Sequence, residues 1–253
     1  MKNKIKKLCL YIKEFGFLSI LKFIFFYQKK KIIKINFKKS NFYIRPNFID
    51  LRQSYQNLFE EYDELKDLIK SDFSGIILDA GGFIGSSSLK LLTLFPNAKI
   101  IAIEPDKENF ELMKINLGNK KNIKILNYAL SSENLKNVHL YDRGTGDWGY
   151  TTIDNLNSGP KKKLLVQTIN IKEIKKIFVN HGKIDLMKID INGGEKEILE
   201  KCQDDLKMID VIYIELHERI VSGSLNLFRE FTKNEKRKLI EIRKNRTYIS
   251  LKV

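Results

Sequence analysis

The sequence of 253 residues has little cysteine and proline and no long uncharged apolar run near its start. Cys9 and Cys202 give neither a disulfide framework nor the spacing of a metal-ligand motif, which favours a reducing compartment. Within residues 5–27 the longest uncharged stretch is 15–21, far short of the roughly 20 residues that a membrane span requires. No small-residue cleavage site follows, so a secretory signal is not expected. We therefore predict a cytoplasmic protein.

Acidic residues are almost missing from the first 45 residues, which hold 13 Lys/Arg and a single carboxylate, Glu14. The other 208 residues hold 33 basic and 30 acidic residues, so the body of the chain is nearly neutral although the net charge is +15. A nucleic-acid enzyme would spread basic groups over its body, so we expect no nucleic-acid partner. A basic arm alone predicts peripheral contact with an anionic surface, such as the inner leaflet of a membrane.

Two smaller units are expected before the main domain. Residues 1–31 predict a basic amphipathic arm, whose helix either lies on a membrane or packs on the domain or on a second subunit of a homo-oligomer. Both alternatives stay open. Residues 32–72 predict a hairpin followed by one or two amphipathic helices, which would cap the site. Residues 73–253 are the predicted main domain.

From Gly75 onward, predicted strands and helices alternate, which is typical of an α/β fold with a doubly wound parallel sheet. Residues 137–168 break this rhythm and predict one strand followed by a long loop over the site. Two alternating runs at 238–243 and 247–253 predict an antiparallel hairpin at the sheet edge. The predicted strands are 75–79, 99–104, 122–130, 184–191 and 211–216, and the predicted helices are 86–95, 107–117, 195–202 and 225–232.

A glycine-rich turn, DAGGFIG, joins a buried strand that ends at Asp79 to a helix that begins at Ser86. Such a turn places backbone N–H groups and a helix N-terminus against a ligand, and glycines let the ligand approach the backbone. Glu104 ends the next strand, 19 residues after Gly85, where a carboxylate can accept both hydroxyls of a ribose. Together these features predict a nucleoside-cofactor site.

Four segments resemble, in order and spacing, the FkbM-type S-adenosylmethionine-dependent methyltransferases: LDAGGFIGSSSL, IEPDKENFELMKIN, IDLMKIDINGGEKEIL and VIYIELH. The resemblance implies a class I methyltransferase domain, with a Rossmann-like, mostly parallel sheet of seven strands and an antiparallel C-terminal hairpin. It also implies S-adenosylmethionine as cofactor and methyl transfer to an oxygen of a sugar or polyketide-like acceptor, such as a sugar in a surface polysaccharide or glycolipid precursor. Two residues depart from the family pattern, because Phe83 stands where Asn is common and Asn192 where Glu is common.

The cofactor contacts are assigned to the ends of the first three strands. The first strand and its turn would hold the methionine part, the second strand the ribose, and the third strand the adenine. This set is Asp79, Gly81, Gly82, Gly85, Glu104, Asp106, Asn127, Tyr128 and Ala129. On the acceptor side Trp148 and Tyr150 would stack on a sugar ring, and the resemblance adds Arg45, Asp50 and Tyr55. Each of these residues has an ordinary structural role, in a turn, strand end or loop anchor, as its alternative.

Methyl transfer to a hydroxyl needs a base, and His217 is the first candidate because the ordinary pKa of histidine lies near neutrality. Asp190, at the end of the fourth strand, is the second candidate, and Glu195 lies in the first turn of the following helix. Their structural alternatives are a surface histidine and carboxylates at a helix N-terminus. Asp190, Glu215 and His217 would also suit a divalent cation, although their spacing does not require one.

Two other functions remain as alternatives. A nicotinamide-dependent oxidoreductase would share the glycine turn and the ribose carboxylate, but the run Gly81–Gly85 lacks the GxGxxG spacing and no hydride-transfer pair is visible. A non-catalytic membrane-surface scaffold with a degenerate cofactor fold is suggested by Asn192 and the basic arm. A nucleic-acid methyltransferase has less support, because no base-flipping motif is visible. His139 and His181 are expected to be structural.

Overall fold

The computed structural model describes residues 2–29, 31–37, 40–143, 149–154, 163–178 and 183–253. In chain order the described strands are β1 (Ile33–Phe37), β2 (Ser40–Ile44), β3 (Ile76–Ala80), β4 (Lys99–Ile103), β5 (Ile123–Leu126), β6 (Ala129–Leu130), β7 (Asn137–Asp142), β8 (Tyr150–Thr151), β9 (Lys163–Ile169), β10 (Leu186–Ile189), β11 (Val211–Glu215), β12 (Lys238–Arg243) and β13 (Thr247–Leu251). The described α-helices are α1 (Lys2–Phe15), α2 (Phe17–Phe26), α3 (Phe48–Tyr55), α4 (Leu65–Leu68), α5 (Ser86–Leu94), α6 (Lys107–Leu117), α7 (Ile171–Lys175), α8 (Glu195–Lys201), α9 (Gln203–Leu206) and α10 (Ser224–Asn234).

The main sheet has seven strands in the order β12-β13-β11-β10-β3-β4-β5. Neighbours from β11 to β5 pair in parallel, whereas β13 runs antiparallel to both β11 and β12. The predicted α/β class, the seven-stranded mostly parallel sheet and the C-terminal hairpin are therefore confirmed. The chain moves outward from β3 in one direction and later from β10 in the other, so the strand order reverses between β3 and β10. In open α/β sheets, ligands bind at the carboxyl ends of the strands at such a switch point.

Alternate residues of the central strands enter two different hydrophobic clusters, one on each face of the sheet. Ile77 and Ile100 belong to the first cluster, whereas Ile76 and Ile101 belong to the second. Strands buried on both faces are nearly continuous apolar runs, and this property made them visible in the sequence.

The predicted strand over 122–130 is wrong as a single element. It ends at Leu126, and Asn127 turns inward to donate its side-chain amide to the carbonyls of Glu104 at 2.8 Å and Pro105 at 2.9 Å. The chain then restarts as β6, which pairs with β9 in a second, four-stranded sheet. The predicted long loop after β7 is also partly wrong, because β9 is a strand that pairs antiparallel with β7.

The N-terminal segment packs on the main domain. β1 and β2 form the predicted antiparallel hairpin. The side chain of Asn116 on α6 links this hairpin to the glycine turn, because it contacts both backbone groups of Tyr43 at 2.7 and 2.9 Å and the carbonyl of Ile84 at 2.8 Å. The predicted helical stretch after the hairpin is interrupted, since α3 passes into a π-helix at Gln56–Glu60 before α4.

The predicted arm is two helices rather than one, because Gly16 separates α1 from α2 with a φ of 87°. Phe15, Ile20 and Phe23 from these helices are buried in the first hydrophobic cluster. Of the helices that the structure describes, none is both long and apolar enough to cross a membrane.

Candidate active site

A cleft of about 800 Å³, including its open mouth, lies at the carboxyl ends of the strands where the sheet order reverses. Its walls come from both halves of the sheet and from the second sheet. Among the lining residues, Gly81, Glu104, Tyr128, Ala129, Tyr150 and Asp190 were predicted to contact the cofactor or the acceptor or to act in catalysis. The sequence therefore indicated residues on both sides of one cleft, although these residues are up to 109 positions apart in the chain.

The glycine turn packs so closely against other parts of the protein that a side chain at two of its glycines would clash with them. At Gly81, with a φ of 80°, an added Cβ would lie 1.9 Å from the carbonyl oxygen of Asp190. At Gly85, with a φ of 92°, it would lie 2.8 Å from the Leu117 side chain. The glycines are thus required by the fold of the turn, where we had expected the approach of a ligand to require them. Gly82 lies within this turn but does not line the cleft.

Asp79 lies behind the turn and does not line the cleft. Its carboxylate is fully buried, accepts the hydroxyls of Ser87 and Ser88 at 2.6 Å each, and lies 3.1 Å from Lys188 Nζ. Lys188 also donates to the carbonyl of Gly81 at 2.7 Å. The structure therefore gives Asp79 a supporting contact to the turn and the helix, where we had predicted a direct contact to the cofactor.

Glu104 is buried at the cleft wall with both carboxylate oxygens accepting hydrogen bonds. One oxygen accepts the Phe83 N–H at 2.9 Å, and the other accepts the Asp106 N–H at 3.0 Å and the Asn109 side-chain amide at 3.3 Å. Burial raises the pKa of Glu104 to about 8, although the hydrogen bond from Asp106 opposes this shift. A carboxylate has about four lone-pair positions, so Glu104 retains capacity to accept a ribose hydroxyl.

Two of the predicted cofactor residues hold this wall and do not line it. Asp106 caps α6 by accepting the Asn109 N–H at 2.9 Å, and Asn127 fixes the Glu104–Pro105 turn through its side-chain amide. Tyr128 and Ala129 follow directly and line the cleft. The short break in the third predicted strand therefore brings these two residues to the wall.

On the opposite side of the cleft, His217 lies among three carboxylates. Its Nδ1 is 3.0 Å from Glu195 Oε1, and its Nε2 is 3.3 Å from Glu215 Oε1 and 3.7 Å from Asp190 Oδ1. Glu195 also accepts the N–H groups of Ile191 at 2.8 Å and Gly193 at 2.7 Å, so it fixes both the turn after β10 and the imidazole. Asp190 alone of these residues lines the cleft, with its side chain 34% exposed.

The charges of this cluster reverse the predicted order of candidate bases. Burial lowers the pKa of His217, but hydrogen bonds to Glu195 and Glu215 and the surrounding negative charge raise it to about 10. The carboxylates around His217 therefore favour its protonated form at neutral pH, and this form does not act as a base. Burial and the neighbouring Glu215 raise the pKa of Asp190 to about 6. Asp190 is then mostly ionised at neutral pH, within reach of a ligand, and becomes the first candidate.

The same donors could hold a divalent cation. Among the described residues, Asp190, Glu195 and His217 form the group of carboxylate and imidazole donors that is compact enough for this, with ligand atoms within 4.8 Å of one another. Several donor atoms already have partners in the protein, because Glu195 accepts three hydrogen bonds and Glu215 accepts Arg246 Nε at 2.7 Å.

The predicted acceptor residues are not all brought to the cleft. Tyr150 lines it, whereas Trp148, like His181, lies outside the described residues. Asp50 is buried and its two carboxylate oxygens each accept a hydrogen bond at 2.9 Å from the guanidinium of Arg45, which also donates to Asn109 at 2.8 Å. Tyr55 packs with its ring 5.0 Å from that of Tyr11. These last three predicted residues therefore support the N-terminal cap.

Several residues around the cleft were not predicted from the sequence. Lys188 interrupts a buried apolar strand, and this unusual position was the signal that could have revealed it. Arg143 donates to the side-chain oxygen of Asn192 at 2.8 Å, a pairing of residues 49 positions apart that no local pattern shows. Gln53 and Asn57 also line the cleft, from the helical cap.

Both departures from the family pattern have left-handed backbone conformations, with φ of 51° at Phe83 and 54° at Asn192. Asn tolerates this region better than most residues, whereas a bulky aromatic side chain is strained there. At position 192 the departure from Glu therefore suits the backbone. At position 83 the Phe costs strain, while its N–H still donates to Glu104.

Comparison with known proteins gives the family. The model of the methyltransferase FkbM domain matches residues 79–241, which is more than half of the chain. The chain belongs to the FkbM methyltransferase family. It is 27% identical to methyltransferase sdnD of Sordaria araneosa in an alignment over 186 residues, and the match covers 62% of this chain and 71% of the relative. It is 24% identical to Methyltransferase 1 of Beauveria bassiana (strain ARSEF 2860) in an alignment over 172 residues, and the match covers 61% of this chain and 69% of the relative.

Solved structures give more distant likenesses. A putative O-methyltransferase from Klebsiella pneumoniae has a TM-score of 0.46 and 10% identity, covering 79% of this chain and 88% of its own. A SAM-dependent methyltransferase from Aquifex aeolicus has a TM-score of 0.45 and 14% identity, covering 79% and 93%. With TM-scores below 0.5, neither likeness supports a conclusion about this chain.

Membership of the FkbM family makes S-adenosylmethionine the methyl donor and sets aside the nicotinamide-dependent alternative. The residues of the cleft fit this cofactor. Glu104 offers a buried acidic group that can accept a ribose hydroxyl, and the apolar side chains of Ile103 and Leu130 line the cleft with it. Asp190, across the sheet reversal, supplies negative charge to the cleft, which suits a cationic cofactor.

Proposed function

We propose that this methyltransferase acts on a hydroxyl oxygen of a sugar, in a precursor of a surface polysaccharide or glycolipid. The observation that carries the proposal is the Asp190 carboxylate. It is partly exposed on the cleft wall, its pKa lies near 6, and a protonated imidazole lies behind it. A carboxylate in this state is suited to accept a proton at neutral pH.

Transfer to oxygen is favoured because a hydroxyl is a weak nucleophile until a base removes its proton. When bound, S-adenosylmethionine supplies an electrophilic methyl group. The chain would hold both reactants, exclude water and accept the proton at Asp190. His217 would act through Asp190, as a positioning residue whose positive charge keeps that carboxylate ionised.

A sugar as acceptor is supported by an aromatic ring and polar groups that line the cleft together. Tyr150 offers aromatic surface, and Thr152 and Asn192 offer hydrogen-bonding groups. Aromatic faces with a few polar groups suit a sugar ring, which has an apolar face and hydroxyls at its edge. A glycolipid precursor would also place the protein peripherally, at the inner face of a membrane.

The test uses the purified full chain with methyl-labelled S-adenosylmethionine and extracts that contain sugar nucleotides and lipid-linked sugars. We expect mass spectrometry after acid hydrolysis to show a monosaccharide heavier by one CH₂ group. Asp190→Asn should lower the rate at least about 100-fold. Asp204→Asn is the matched control, since that side chain is 91% exposed and pairs with Lys207.

Two results would contradict the proposal. Label on an amine or thiol, and none on sugar, would exclude a sugar hydroxyl as the acceptor. Saturable cofactor binding without turnover on any extract would favour the scaffold alternative. An Asp190→Asn variant as active as Asp204→Asn would remove Asp190 from the chemistry while leaving the acceptor class standing.

A further inference from the structure

Helix α2 has two apolar faces, of which the protein buries only one. The inner face consists of Ser19, Ile20 and Phe23, which are buried. Ser19 accepts the Asn36 N–H of the hairpin at 3.3 Å, and the ring of Phe23 lies 5.7 Å from that of Phe48. These contacts fix the rotation of α2 about its axis, so the direction of the other face is determined.

The outer face of α2 consists of Phe17, Leu18, Leu21, Ile24 and Phe25, which are between 50% and 69% exposed. Exposed apolar side chains that occur singly are normal, but five on one short helix form a continuous patch. Patches of this kind on a folded protein mark sites where a membrane or another protein binds. The outer face therefore needs an occupant.

Positive charge surrounds the patch. Lys22 lies within α2, and Lys29 and Lys31 follow it, all exposed. Lys29 Nζ is 4.7 Å from the centre of the Phe25 ring, and Lys31 Nζ is 4.5 Å from that of Phe26. The sequence up to residue 45 offers one carboxylate, Glu14, against 13 basic residues.

We propose that the outer face of α2 docks on the surface of a bilayer that contains anionic lipids, with the helix in the plane of the interface. Its apolar side chains would enter the boundary between headgroups and acyl chains, and the lysines would contact anionic headgroups. At 1.5 Å per residue, ten residues are about 15 Å long, so α2 can lie on a bilayer but not cross one.

A second copy of the chain is a poorer occupant of the same face. Pairing two outer faces would bring two sets of lysines together with one acidic residue in each copy's first 45 residues. Like charges at close range oppose association, whereas an anionic surface neutralises them. Charge complementarity therefore selects the lipid surface.

The experiment compares sedimentation of the full chain with vesicles of phosphatidylcholine alone and with vesicles that also contain phosphatidylglycerol. The test variant carries Leu18→Glu and Phe25→Glu, two exposed positions, so its thermal unfolding should match that of the wild type. Met208→Glu is the matched control, because that side chain is 50% exposed and lies far along the chain from the patch. A third variant, Lys29→Gln with Lys31→Gln, tests the charges.

We expect wild type and Met208→Glu to bind the anionic vesicles at least about tenfold more tightly than the neutral ones. The double glutamate variant should lose at least about tenfold of that binding, and the double glutamine variant should lose part of the preference for anionic lipid. Raising the salt concentration should weaken binding of the wild type, because screening reduces the attraction.

Equal binding by the wild type and the double glutamate variant would overturn the proposal. So would the absence of vesicle binding together with a dimer in sedimentation velocity that the glutamate substitutions abolish, because a second copy would then occupy the face. Vesicle binding is measured without acceptor or cofactor. Failure here therefore leaves the proposed methyl transfer untouched, and failure of methyl transfer leaves the docking result standing.

Discussion

Neighbouring groups shift the pKa of the Asp190 carboxylate in opposite directions. Burial and Glu215 raise its pKa to about 6, while Lys188 and His217 act to lower it. Because the ionised form is the base, we expect kcat/KM for the acceptor, measured at saturating S-adenosylmethionine, to rise with pH through about 6 and to level off above that value. A pH profile of the wild type between about pH 5 and pH 9 measures this. A profile that is flat across that range would contradict the role of Asp190.

Removing the charge of His217 should move this profile. His217→Gln takes away a cation that lowers the pKa of Asp190, so we expect the acid limb to shift to higher pH by about one unit. Lys136→Gln, which removes an exposed cation paired with Glu133, should leave the limb in place. An acid limb that stays near pH 6 in His217→Gln would contradict this role of the imidazole.

Glu104 should make cofactor affinity depend on pH. Its pKa of about 8 means that it gains its negative charge as the pH rises through that value. An ionised carboxylate accepts ribose hydroxyls more strongly, so we expect the wild type to bind S-adenosylmethionine more tightly at about pH 9 than at about pH 7. Calorimetry on Glu104→Gln should show weaker binding, by about tenfold or more at the higher pH, and little dependence on pH.

Glu108→Gln is the control for this series. Glu108 is exposed on α6, the helix that also carries Asn109, which donates a hydrogen bond to Glu104. It should keep the affinity and pH dependence of the wild type. A pH dependence that persists in Glu104→Gln would assign the titration to another group.

The sequence alone could locate these groups, but it could not show their charge states. Glu104 and Asp190 were visible because each directly follows an apolar strand. The protonation of His217 depends on carboxylates from three elements, namely the ends of β10 and β11 and the start of α8. Only the folded chain brings them together, so the sequence suggested a neutral imidazole, whereas the surrounding carboxylates raise its pKa and favour the cation.

Among the elements, β3 and β10 are joined by side chains as well as by their ladder. Lys188 on β10 lies 3.1 Å from Asp79 on β3 and donates to the carbonyl of Gly81 beyond the end of β3. Burial disfavours its charge, yet Asp79 and Asp190 raise the pKa of Lys188 above its ordinary value. This buried pair lies at the point where the strand order reverses, and it links the glycine turn to the strand that carries Asp190.

Lys188→Met should therefore destabilise the protein by about 3–5 kcal/mol, because it leaves the Asp79 carboxylate buried without a cation. Urea unfolding measures this, and Lys176→Met, which removes an exposed cation, should cost less than about 1 kcal/mol. Adding Asp79→Asn to Lys188→Met should recover part of the loss, since the unpaired charge disappears. Equal stability of the two single variants would show that the pair contributes little.

Strands and helices were predicted correctly where burial leaves a pattern of apolar residues in the sequence. The central strands are continuous apolar runs, and α6 was predicted at 107–117, the bounds that the structure gives it. The strand β9 was missed because it pairs with β7 across an intervening segment that holds four glycines. At the far end of this ladder the paired residues, Asn137 and Gln167, are 30 positions apart. The break at Asn127 was missed because its cause is a contact with the turn after β4, 22 residues away.

At the scale of the whole molecule, the N-terminal helices are part of one hydrophobic core. Phe15 and Ile20 belong to the same cluster as Ile77 and Leu186 of the main sheet. The predicted boundaries at residues 31 and 72 remain predictions, but this shared core indicates that the first segment does more than carry charge. Its inner faces stabilise the fold, while its outer face is free to bind a surface.

Deleting residues 1–27 should therefore destabilise the main domain rather than only remove a membrane contact. The deletion strips Phe15 from the Phe59 ring at 5.3 Å and Phe23 from the Phe48 ring at 5.7 Å, leaving large apolar surfaces uncovered. With three large buried side chains lost, at about 1.5–3 kcal/mol each, we expect thermal unfolding to shift down by many degrees in one transition. Deleting residues 1–7 removes only the first part of α1 and serves as the control, with an unfolding curve close to that of the full chain. If the longer deletion also melts like the full chain, the arm is an independent appendage and the shared core does not stabilise the methyltransferase domain.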